Sequence, residues 1–170
     1  MGLSEDVPLL AAHDLDNFLL PLVTHLSRLT GRRFASVWGT KRHCEQSCLR
    51  VEQATPVEWS VSSDRLHRVR TTTSAQSEAF KEQIDSALAG AVALPDGPVA
   101  LQVGFTVGPT RNWPNLWKPT VDALGRILGR DNPARPWAPR DGRVVELGLH
   151  RAVDPSLAND VLIAVGARAV

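Results

Sequence analysis

The 170 residues are 43% hydrophobic and 22% charged, which excludes a disordered or fibrous chain and suits one ordinary domain, or two small units sharing a core. The net charge of +1 does not by itself point to nucleic acid, although cations gather at Arg32-Arg33, Lys41 to His43, Arg65 to Arg70 and Arg126 to Arg143. No stretch approaches the roughly 20 apolar residues of a membrane span, and the acidic start, Glu5 and Asp6, is unlike a signal peptide, so a cytoplasmic protein is expected.

In chain order, the first chemically loaded segment is Asp14-Leu-Asp16-Asn17. On an extended backbone residues i and i+2 share a face, so both carboxylates converge just before a helix start. Such a pair suits a hard divalent cation such as Mg2+. The bland alternative is one Asp capping the helix and the other solvated. A helix follows over Phe18 to Leu29, capped by Asn17 and closed by Gly31. A polar loop with Trp38 leads to a strand over Ser47 to Gln53, with Leu49 and Val51 on one face. Cys44 and Cys48, too few for a disulfide framework or a closed zinc site, read as small strand side chains, with His43 beside them as a possible metal ligand.

Val57 to Ser63 reads as a strand and the basic stretch Asp64 to Ala75 as a loop or arm. Ser77 to Val92 places Phe80, Ile84 and Leu88 at i, i+4 and i+8, the stripe of an amphipathic helix. Pro95 to Pro98 is a turn, and Val99 to Val107 alternates as a half-buried strand. A second Asn-led helix, Leu116 to Leu128, then passes through a loop with Trp137 to an alternating strand, Arg143 to Arg151.

The two Asn-led helices align without a gap. Asp14 to Gly31 matches Asn112 to Gly129, with identities at Asn17/Asn115, Pro21/Pro119, Val23/Val121, Leu26/Leu124, Arg28/Arg126 and Gly31/Gly129. The expected fold is therefore α/β (α+β), a mixed sheet with helices, in which a helix-loop-strand unit is duplicated as a pseudo-dimer. Residues 1–63 would form the first half-unit and 64–170 the second, more complete one. The strands Ser47 to Gln53 and Arg143 to Arg151 would then hold equivalent sheet positions.

From Ser77 to Arg151, about half the chain, these residues resemble the core of RusA-type Holliday-junction resolvases, which run D-x-D-N-x-x-K-x-x-x-D-A-L into an acidic pair and a strand. Asn115, Lys118, Asp122, Leu124, Asp141 and Val144 fall on motif positions. The resemblance implies a small α/β domain acting as a homodimer, or here a monomeric pseudo-dimer, that cleaves branched DNA with Mg2+ held by aspartates. The departures are specific. The second copy has Asn112 and Pro114 for the motif aspartates, and Arg140 beside Asp141. The first keeps Asp14, Asp16 and Asn17 but has Leu20 for the lysine and Lys41 to His43 for the acidic pair.

Two readings follow. In one, the halves divide the labour: Asp14 and Asp16 meet Asp141 or His43 in a composite Mg2+ site, and Lys41 or Lys118 stabilises developing charge. In the other, lost carboxylates leave a catalytically degenerate nucleic-acid-binding or protein-interaction module. For branched or single-stranded DNA, Arg111, Lys118, Arg140 and Arg143 would line a phosphate track. Trp113, Trp117, Trp38 and Trp137 would stack on bases, although core packing is expected of at least two of them.

Overall fold

The computed structural model describes residues 1–11, 13–55 and 66–170. Its centre is a five-stranded mixed sheet in the order β2 (Ser36–Thr40), β6 (Val144–Val153), β5 (Val99–Val107), β7 (Val161–Ala169), β4 (Leu66–Thr71). Within this sheet only β5 and β6 run parallel, and the other three pairings are antiparallel. A parallel pair needs a long crossover. Here it carries two short helices, α3 (Trp117–Asp122) and α4 (Gly125–Leu128). Two-residue strands β1 (Gly2–Leu3) and β3 (Arg42–His43) form a separate parallel ribbon.

Strand alternation sorts the sheet into two faces. Leu101, Val103 and Phe105 of β5, Leu147 and Leu149 of β6, and Ile163 and Val165 of β7 are buried on one face. Over that face lie α1 (Leu15–Thr30), packed on β2 and β6, and α2 (Glu78–Ala87), packed on β4 and α3. Leu15, Leu19 and Val23 of α1 and Phe80, Ile84 and Leu88 at α2 join the same core. Gly39 permits the close approach of α1: a Cβ there would stand 2.9 Å from Leu19 Cδ1 and 3.4 Å from Leu15 Cδ2. On the opposite face Trp38 covers Gly148, whose missing Cβ would fall 2.8 Å from the indole ring. That ring meets His150 edge-on at 4.9 Å.

An α+β fold with a mixed sheet is thus present, and β5, the Phe80-Ile84-Leu88 stripe and the Gly31 cap stand as read. Gly31 takes φ 65, where glycine is favoured. Other expectations need correction. The first helix begins at Leu15, so Asp14 and not Asn17 is the N-cap residue, and Asn17 instead donates from Nδ2 to Asp14 Oδ2 at 3.1 Å. Ser47 to Gln53 forms no strand; Leu49 and Val51 are exposed, as are Cys44 and Cys48. The edge of β6 that such a strand would need is taken by β2, formed from residues read as loop.

The expected equivalence of two helix-loop-strand units is accordingly not seen. Nor do the helices match, since α1 is continuous through Pro21, whereas its counterpart breaks into a 3-10 turn (Trp113–Leu116), α3 and α4. Pro119 fits the first turn of α3, where its missing N–H costs nothing. The basic stretch read as an arm holds edge strand β4, and β7 was not anticipated. The strand expected over Val57 to Ser63 lies outside the described residues. No helix among the described residues is long and apolar enough to cross a membrane.

Candidate metal centre

Packing α1 onto β2 and β6 brings the N-terminus of the helix to the start of β6. Leu15 turns into the core, 2% exposed, and its neighbours Asp14 and Asp16 are carried to the turn Asp141–Arg143 that opens β6. Asp14, Asp16 and Asp141 each offer a carboxylate oxygen, and these lie within 4.8 Å of one another. Three carboxylate oxygens within that span make an all-oxygen ligand set of the kind a hard divalent cation such as Mg2+ takes.

The cluster is under-neutralised. Asp16 is 3% exposed, and its Oδ2 has no hydrogen-bond donor among the described residues. Burial pushes its pKa up to about 6, against the pull of Lys118, with Asp141 adding repulsion. Asp141 is likewise raised, by burial and then by Asp14. Carboxylates crowded out of water in this way favour either a proton or a cation between them. A cavity of about 10 Å3, room for barely one water molecule, lies beneath Asp16 and Asp141. A wider groove, about 460 Å3, opens beside Asp14 and Asp141 with Arg140 and Asp131 in its wall.

Two lysines serve the cluster differently. Lys118, on α3, has its Nζ 2.8 Å from Asp122 Oδ1, 3.6 Å from Asp141 Oδ2 and 3.9 Å from Asp16 Oδ2. Burial opposes its charge, but the bond to Asp122 and the surrounding carboxylates prevail and lift its pKa to about 12. Lys41, 3% exposed, donates from Nζ to the Gly142 carbonyl, while its backbone N donates to Val145 O at 2.9 Å. It therefore braces the Asp141 turn from the position just after β2. Burial lowers its pKa, and Asp14 and Asp141 oppose that shift.

The composite site thus draws on Asp141 and not on His43, which is exposed with Nδ1 3.0 Å from Ser4 O. Sequence reading passed over Asp122 as a site residue. Its carboxylate anchors both Lys118 and Lys81, the latter at 3.2 Å. The i, i+4 spacing of Lys118 and Asp122 was the available signal.

The expected DNA-contacting residues divide. Trp113 and Trp117 are 4% and 0% exposed and pack edge-on at 4.8 Å, so they are core and cannot stack on bases. Trp137 is partly buried, donating from Nε1 to Glu78 Oε1 at 2.9 Å, whereas Trp38 is 56% exposed. Arg143 is 3% exposed and does not line a phosphate track. Its guanidinium donates to the carbonyls of Leu94, Pro95, Gly97 and Leu128, tying two loops to β6. Arg140 remains at the surface, ion-paired with Asp96 and Asp131. Arg111 is half-buried with no ion pair among the described residues. No family model and no curated protein matches the sequence.

Proposed function

We propose that the chain is a Mg2+-dependent, structure-specific endodeoxyribonuclease of the RusA kind, acting on branched DNA. The observation that carries this reading is the meeting of Asp14 and Asp16 with Asp141 beside Lys118. The D-x-D of one motif segment thereby stands with the lysine and acidic position of the other, replacing the carboxylates that Asn112 and Pro114 lack.

Asp14, Asp16 and Asp141 would hold the ion. Once bound, Mg2+ supplies Lewis acidity to a phosphodiester and lowers the pKa of water. The residues themselves do the rest. Lys118, fixed by Asp122, presents a permanent positive charge beside the carboxylates, where charge develops on a phosphate in the transition state. Lys41 is a positioning residue, holding Gly142 and with it Asp141. Arg140 and Arg111 are offered to the backbone of the DNA. One chain supplies all three carboxylates, so a monomer would hold a complete site and a homodimer would carry two.

Cleavage of a four-way DNA junction in Mg2+ or Mn2+ tests the proposal. Asp14→Asn and Asp16→Asn should each slow cutting on the order of a hundredfold or more while leaving junction binding in place. A folded wild-type protein that binds the junction and never cuts it would make the chain a degenerate binding module.

A further inference from the structure

At the end of α1 remote from Asp14 and Asp16 stand two arginines, Arg33 and Arg151, with no acid in the contacts of either among the described residues. Arg33 follows the Gly31 cap, exposed, with Nη1 3.2 Å from Pro109 O. Arg151 of β6 lies in the cross-strand row with Phe105, on the face that the helices cover. Its backbone N donates to Ala35 O at 2.8 Å, and its side-chain Nε is buried with no hydrogen-bond partner among the described residues. Asp154, the acid nearest along the chain, gives its Oδ1 to the N and Oγ of Ser156. Burial, and then the charge of Arg33, hold the pKa of Arg151 below its ordinary value. A buried, unsatisfied guanidinium donor that feels the charge of a second guanidinium is stabilised by an anion that both can bind. Arg28 and Arg32, exposed at the same helix end, add to the positive field.

We infer that Arg33 and Arg151 form a binding site for a DNA backbone phosphate, one length of α1 away from the carboxylate cluster. The inference rests on the nuclease reading and deepens it by fixing where a duplex arm lies. The 16 residues of α1 span about 24 Å at about 1.5 Å per residue. That distance matches about seven nucleotide steps of about 3.4 Å. A duplex arm lying along α1 would thus offer one phosphate to the carboxylates and, from its other strand, another about seven steps along to the arginine pair, since at about ten base pairs per turn the first strand has by then passed to the far side.

The test is junction binding by fluorescence anisotropy over a salt series, using arms of about fifteen and about four base pairs. Wild type, Arg33→Glu and Arg33→Lys are compared, with thermal melting to confirm that each is folded. Arg33→Glu should weaken binding to the long-armed junction about tenfold and reduce the salt slope by about one. Arg33→Lys should restore most of the loss, and the short-armed junction should not distinguish the variants. Should Arg33→Glu match a wild type that binds and cuts the long-armed junction, the arginine site is wrong and the nuclease reading stands. Equal weakening on short and long arms would overturn the placement along α1. Absence of DNA binding by wild type would remove both.

Discussion

The ammonium of Lys118 stands 3.9 Å from Asp16 Oδ2, within electrostatic reach but beyond a hydrogen bond, while Asp122 takes the short contact at 2.8 Å. The buried carboxylate is therefore attracted to a cation whose geometry another residue sets. Because Asp122 lifts the pKa of Lys118 to about 12, the stabilisation it confers is fully present below the ordinary lysine value and is lost as pH rises through about 12. Lys118→Met should lower stability at about pH 7 by about 1 kcal/mol, allowing for solvent screening of a half-exposed ammonium. Urea denaturation measures it, and the deficit should shrink near pH 4 as Asp16 and Asp141, whose pKa values are raised, protonate.

Asp16 works in the opposite sense. Its folded pKa of about 6 lies above the ordinary 3.8, so its contribution is favourable below about 3.8 and is lost as pH rises to about 6. Metal-free Asp16→Asn should be more stable than wild type by about 2 kcal/mol at about pH 7 and equal to it near pH 4. Denaturation in chelator across that range decides the matter; a destabilised variant at pH 7 would mean that the carboxylate is already neutralised.

A cation relieves the same strain. Mn2+ or Mg2+ at about a hundred times its Kd should add about 2.7 kcal/mol to stability, read as a rise in Tm at neutral pH. The rise should fade as pH falls below about 6, where Asp16 binds a proton in competition with the metal. Asp14→Asn and Asp141→Asn should abolish most of it, since each removes one of the three ligands.

Arg143 belongs to the fold. Arg143→Ala would strand the carbonyls of Leu94, Pro95, Gly97 and Leu128, at a cost of about 3 kcal/mol. Thermal melting should record that loss, whereas the salt dependence of DNA binding by the folded variant should match wild type.

The parts of the architecture legible in the sequence are those in which one element carries its own signal. The alternation of Val99 to Val107 marks β5, and the spacing of Phe80, Ile84 and Leu88 marks α2, because both stripes face the core. Ser47 to Gln53 misled because alternation cannot tell whether a sheet edge is available, and β2 had already filled the edge of β6. The carboxylates were legible as a D-x-D pair and an isolated Asp141. Their union depends on the seating of α1, which the Gly39 contact permits and no local pattern announces. Arg143 and the two core tryptophans were misassigned for a related reason: residue type does not disclose whether a side chain points at solvent or at the carbonyls of a neighbouring loop.

The placement of the carboxylates at opposite ends of the chain bears on how the protein is made. Asp14 and Asp16 are synthesised early, but Asp141 and the β6 strand that locates it are synthesised late. A nascent or truncated chain lacking β6 therefore holds two of the ligands and none of the site. Non-local pairing of this kind also slows folding. A cation held by all three carboxylates therefore has to wait until the sheet has closed, which ties occupancy of the cluster to completion of the fold.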